Sequence, residues 1–183
     1  MIYPIVAFGD PVLKKKAEEI EKGTDIHKLV EDMFETMYEA NGVGLAAPQV
    51  GLSLRLFVVD AEPMDPDNLQ GYKKAFVNPV ILEEYEEEWS YEEGCLSIPG
   101  IRAHVDRPEA IKVKYYDENW NEHIEELDGM KARVFQHEYD HIEGVLFVDY
   151  ISSIRRKLLK SKLADISKGK VDVSYRMRFP LKK

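Results

Sequence analysis

The nine residues QHEYDHIEG (136–144) constrain the fold more than any other stretch. His137 and His141 are four apart, so on an α-helix both imidazoles leave one face and can hold a single metal ion. The helix has legible ends: Asp128-Gly129 opens it, it runs to about Glu143, and Gly144 closes it. Glu138, beside His137, can reach a water on such an ion, the acid/base arrangement of H-E-x-x-H hydrolases. The plainer alternative is a helix that carries two histidines on a polar face.

Two histidines leave a metal site incomplete. Peptidases of the thermolysin type take a third ligand from a downstream Glu, but Glu143 is the last Glu and lies two residues past His141. The longer pattern H-E-x-x-H-x-x-G-x-x-H holds through Gly144 and fails at Phe147, where the third His would stand. His27, His104 and His123 read more simply as surface or strand residues. Cys95, in EEGCLSIPG, is the better candidate, because a tight Gly-flanked stretch can turn its sulfur inward. A lone buried cysteine is as readily a small apolar residue, and the residues leave that choice open.

Around this helix the periodicities predict an α+β fold, with small antiparallel or mixed sheets about the motif-bearing helix. Thr24 or Asp25 caps a first helix running to about Ala40, with Ile26, Leu29, Val30, Met33, Phe34, Met37 and Tyr38 as its apolar stripe. Residues 54–60 and 76–82 read as strands, and 61–73 as a loop rich in Pro, Asp and Gly. AIKVKYYD and HIEEL form a hairpin about Asn119, and a third helix covers about Ser153 to Ile166. The acidic run EEYEEE (83–88) reads as a solvated strand end or loop, and Trp89 and Tyr91 as cleft border or core.

At 183 residues the chain can bury roughly 70% of its unfolded surface, so one domain over 1–183 needs no staple merely to fold. With one cysteine there is no intrachain disulfide, which fits a reducing compartment. No apolar run approaches the ~20 residues of a membrane span, and MIYPIVAFGDPVL lacks targeting character, so a cytoplasmic location is expected. The net charge of −9 is split unevenly. From Arg155 onward eleven Lys/Arg face only Asp165 and Asp172, a local +9; the rest sets 14 Lys/Arg against 32 acids, or −18. A basic helix and tail (about 153–183) on an acidic body suggests contact with a polyanion, the plainer reading being a solvated face.

GVGLAAPQV (42–50) has the G-x-G-x-x-A spacing of a dinucleotide loop at Gly42, Gly44 and Ala47. Such a loop must follow a strand and open a helix. Here the glycines follow a helix, and Pro48 and a strand come after them. No nucleotide cofactor or free nucleic acid is expected.

GVGLAAPQ, EGCLS and QHEYDHIEG, in that order, resemble the three signature motifs of peptide deformylases, and IVAFGDPVL is similar to the family's opening segment. The resemblance implies removal of the formyl group from the N-terminal formylmethionine of newly made polypeptides. It implies Cys95, His137 and His141 as ligands of one divalent metal ion, ferrous iron in the cell, with zinc, nickel or cobalt able to replace it. It further implies Glu138 as proton carrier, Gln49 and the Leu96 N–H as donors to the oxyanion, and Gly44 as the backbone that pairs with substrate. Val43 and Val134 would wall a methionine pocket. Some members end in a basic helix that contacts the ribosome, which Ile154–Lys162 fits. The alternating VDVSYRMRFP after Gly169 departs from that helix and suits an edge strand or a tail ordered on a partner. Glu93 and Gln136 are expected to support the metal loop, and Asp140 to face away toward Arg102 or Arg107. The competing enzyme is a zinc endopeptidase, opposed by the missing third ligand. A binding module without catalysis is opposed by the presence of Glu138, Gln49 and Cys95 together.

Overall fold

The computed structural model describes residues 1–182. The apolar stripe after Asp25 folds as α1 (His27–Glu39) and buries Val30, Met33, Phe34 and Met37. Asp25 supports its start, accepting from the His27 N–H at 3.2 Å, while the Thr24 hydroxyl turns back to the Glu21 carbonyl. Tyr38, expected in the stripe, is exposed and gives its hydroxyl to Asp60 instead.

Five strands form an antiparallel sheet in the order β2-β3-β4-β5-β6: β2 (Gly44–Ala46), β3 (Leu56–Asp60), β4 (Lys73–Cys95), β5 (Ile98–Tyr116) and β6 (Glu122–Asp128). The β5–β6 hairpin about Asn119 is as the alternation predicts. The β4–β5 hairpin is far longer than the sequence reading. EEYEEE lies within β4, where an irregularity between Tyr85 and Glu88 leaves Glu86 at φ 64°. Its acidic side chains are mostly exposed on both faces, so no apolar alternation marks it as strand. Gly44 already belongs to β2, and the turn containing Pro48 follows that strand.

α2 (Gly129–Ile142) is the motif-bearing helix and packs against β2, β3, β5 and β6. Phe135 on α2 meets Phe57 and Phe76 edge-on, with ring centroids 5.1 and 5.0 Å away, fixing the helix over the sheet. Gly144 ends it at φ 77°, where a Cβ would lie 2.7 Å from the Lys14 carbonyl oxygen. α3 (Ser153–Ser167) docks through Leu163, Ile166 and Ser167 at its C-terminal end, while Ile154 and Leu158 stay exposed. The tail then forms β7 (Met177–Arg178), parallel to β1 (Ile5–Val6). The alternating tail is therefore an edge strand on the protein itself.

Asp149 ties three segments together. It accepts from the Leu146 N–H at 2.9 Å, from Lys14 at 2.5 Å and from Arg156 at 2.7 Å. Burial pushes its carboxyl up, but the Leu146 N–H, Lys14 and Arg156 outweigh this and hold it below its ordinary 3.8. A lowered carboxylate stabilises the fold above its unfolded value and loses that contribution as pH falls through the folded one. Thermal melts of Asp149→Asn should therefore lie below wild type at neutral pH, with the gap closing as the pH drops below 3.8. Parallel melting curves across that window would show the contacts to be unimportant.

Candidate active site

His137 and His141 leave the same face of α2, one turn apart, with ring centroids 5.2 Å from each other. Cys95 comes from the end of β4, in the turn that returns at Ile98. One ligand atom from each of the three lies within 4.8 Å of the other two. The Cys95 Sγ to His141 Nε2 distance is 3.4 Å. With sulfur at ~2.3 Å and nitrogen at ~2.0–2.1 Å from a tetrahedral centre, that edge should measure roughly 3.5 Å. The three side chains thus fit one divalent ion, and a thiolate with two imidazoles is a donor set several first-row metals accept.

Glu93 orients one of these side chains. Its carboxylate lies 2.8 Å from His137 Nδ1, so that nitrogen carries the proton and Nε2 is left as an acceptor. The same carboxylate takes two bonds from Arg107, at 2.7 and 3.0 Å, and one from Arg133 at 2.8 Å. Burial works against its charge, yet hydrogen bonds from His137 and Arg107 hold it well below the usual carboxylate range. Arg107 bridges onward to Asp140 at 2.8 Å, while Arg102 pairs with Glu92, so Asp140 does face away from the cysteine and the two histidines. Gln136 donates to the Pro108 and Ala132 carbonyls and supports the helix rather than the metal loop. Burial keeps His141 neutral, its proton affinity well below the ordinary value.

Glu138 is 4% exposed, and its Oε1 has no hydrogen-bond partner among the described residues. Burial pushes its carboxyl up to about 7, against the pull of His137 and Arg107. Such a group can take and return a proton near neutral pH. Gly44 lies directly opposite: a Cβ there would sit 2.5 Å from Glu138 Oε2. The missing side chain at Gly44 thus makes room for this carboxylate, a reason the sequence did not offer.

A cleft of about 730 Å³ gathers most of the residues singled out from sequence: Val43, Gly44, Gln49, Cys95, Leu96, Val134, His137 and Glu138 all line it. His141 lies just behind, 1% exposed. Gln49 is held by all its polar atoms: Oε1 accepts from the Ala46 N–H at 3.0 Å, and Nε2 donates to Cys95 Sγ at 3.3 Å and Ser97 Oγ at 3.2 Å. Tyr91 borders the cleft, whereas Trp89 lies against the Arg133 guanidinium, 4.5 Å from its ring centroid. His27, His104 and His123 pair elsewhere, with Asp25 and Asn119, Ser90, and Asp117. Sequence reading missed Arg133, Ser97 and Tyr175. Arg133 is findable, one turn before His137 on the same helix, and Ser97 closes the EGCLS motif without a role of its own being readable; Tyr175 carries no signal.

A sequence profile described as polypeptide deformylase matches residues 2–157. The chain is 64% identical over its full length to a peptide deformylase of Cytophaga hutchinsonii, all of which is covered. The crystal structure of peptide deformylase from Thermotoga maritima superposes with a TM-score of 0.76 at 48% identity, covering 83% of this chain and 99% of that one. That from Thermus thermophilus gives 0.82 at 43%, covering 91% and 98%. Fold, motif order and sequence agree over nearly the whole length, and the chain belongs to the polypeptide deformylase family, enzymes that remove the formyl group from the N-terminus of polypeptides.

Proposed function

We propose that Cys95, His137 and His141 hold one divalent metal ion in this deformylase, and that the adjoining cleft takes the formylmethionyl end of a nascent polypeptide. The observation that carries the reading is a metal-sized trio of ligand atoms beside a buried carboxylate with an unpartnered oxygen. Ferrous iron is the ion proposed in the cell; the donor set also suits zinc, nickel or cobalt.

A cation held there supplies Lewis acidity, bringing the pKa of a water toward neutrality and drawing charge onto a carbonyl oxygen. The chain's own groups handle the rest. Glu138 takes the water's proton on its carboxylate, which lies against Gly44 in the cleft, and returns it to the nitrogen as the C–N bond breaks. The water oxygen leaves in formate, and the peptide leaves as an amine. Gln49 Nε2 and the Leu96 N–H donate to the oxyanion, Gln49 by trading its bond to Ser97 Oγ for one to the reacting oxygen. β2 is the edge strand of its sheet, so an extended substrate can pair along Gly44, as strand addition requires. Val43 and Val134 offer the methionine side chain an apolar wall.

The test is formate release from formyl-Met-Ala by anaerobically purified protein, with metal analysis of the same sample. Formate with no cleavage of internal peptide bonds supports the reading. Internal cleavage without formate would make it an endopeptidase.

One unit over 1–183 in the cytoplasm suits this work; among the described residues no helix is long and apolar enough to cross a membrane. The exposed start of α3 carries Ile154 and Leu158 among Arg155, Lys157, Lys160 and Lys162, and is proposed to meet the ribosome's polyanionic surface. Replacing Lys157, Lys160 and Lys162 together by Glu should abolish co-sedimentation with ribosomes while leaving formate release unchanged. Undiminished co-sedimentation would refute the contact.

A further inference from the structure

The chain beyond residue 157 lies outside the segment matched by the family profile, yet it returns to the cleft. After α3 it runs back as an extended strap that is pinned on both sides. The Ile5 and Ala7 N–H groups donate to the Arg176 and Arg178 carbonyls at 2.9 Å, and the Leu181 N–H to the Ser167 carbonyl at 2.9 Å. Met177 packs into the core beside Ile5. Just before this anchored stretch, Tyr175 enters the cleft and donates its hydroxyl to the Leu96 carbonyl at 2.7 Å.

The next carbonyl along, that of Ser97, accepts from the Phe8 N–H at 2.9 Å. Two consecutive carbonyls of the β4–β5 turn are therefore held by donors from opposite ends of the chain. The turn needs outside support, because the strand register breaks between Gly94 and Cys95. It also bears the two groups that need the finest placement, the Cys95 sulfur and the Leu96 N–H. A displacement of ~1 Å in such groups is enough to cost a large part of the rate.

We propose that Tyr175 is a positioning residue for deformylation: its hydroxyl fixes the Leu96–Ser97 peptide, and through it the orientation of the Cys95–Leu96 unit. The proposal rests on the roles given above to Cys95 and Leu96. It places part of the reaction's machinery in the C-terminal strap.

Tyr175→Phe keeps the ring and its packing and removes only the hydroxyl. With the metal-loaded zinc form, kcat for formate release should fall about five- to tenfold, the worth of one hydrogen bond, with KM and metal content unchanged. Amide hydrogen exchange at Phe8, whose N–H is held by the Ser97 carbonyl of this turn, should quicken by a similar factor, while the β5–β6 hairpin keeps its wild-type rates. Wild-type exchange at the Phe8 amide overturns the proposal whatever the rate, and so does a loss confined to KM. If the wild-type protein itself releases no formate, the deformylase reading fails, while the exchange measurement still decides whether Tyr175 holds the turn.

Discussion

Glu138→Gln is expected to bind metal as well as wild type, to melt no lower, and to release formate about 10²–10⁴ times more slowly, the range general acid–base catalysis contributes. The substitution conserves volume in a site where Gly44 leaves room for this side chain and little more. No hydrogen bond is lost at Oε1, which has no partner among the described residues. Replacing a buried carboxylate that burial already disfavours by a neutral amide should not weaken the fold. What the amide cannot do is accept a proton and pass it on. The loss should therefore fall on kcat, with KM little changed, as for a group needed only in the transition state. Steady-state kinetics beside metal analysis check this, and a wild-type rate in a metal-replete variant would show that the proton travels by another route.

The second large effect is expected at Cys95. In Cys95→Ser the soft thiolate is replaced by a hydroxyl that stays protonated at neutral pH. Partners that merely orient a metal ligand are worth about 10–100-fold in affinity, so loss of a ligand should weaken binding by at least about a hundredfold. Dialysis against a mild chelator should strip the variant and spare wild type, and formate release should follow the metal. The Gln49 amide also loses its sulfur acceptor, though its bond to Ser97 keeps it in place. Unchanged stoichiometry after dialysis would remove Cys95 from the ligand set.

These two side chains also mark where sequence reasoning works. The histidine pair on α2 was legible because a helix converts a spacing of four into one face, a local rule that needs no knowledge of neighbours. The hairpin about Asn119, α1 and the start of α3 were legible for the same reason: periodicity and turn chemistry act within a few residues. β4 runs well past the strand its sequence predicts, because its acidic stretch is exposed and carries no apolar alternation. Tyr38 leaves the predicted stripe because its position on the helix says nothing of Asp60, its partner 22 residues on.

By itself, then, the sequence determined the family, the candidate ligand types and the carboxylate beside them, since each is written in contiguous motifs. Only the tertiary structure decided what surrounds them: Glu93 closing on His137 from 44 residues away, Arg107 and Arg133 neutralising it, Gly44 clearing space for Glu138, and Tyr175 reaching Leu96 across 79 residues. Those contacts depend on where separate elements meet after packing, and the apolar core that sets those meetings is non-directional along the chain. No local pattern announces them.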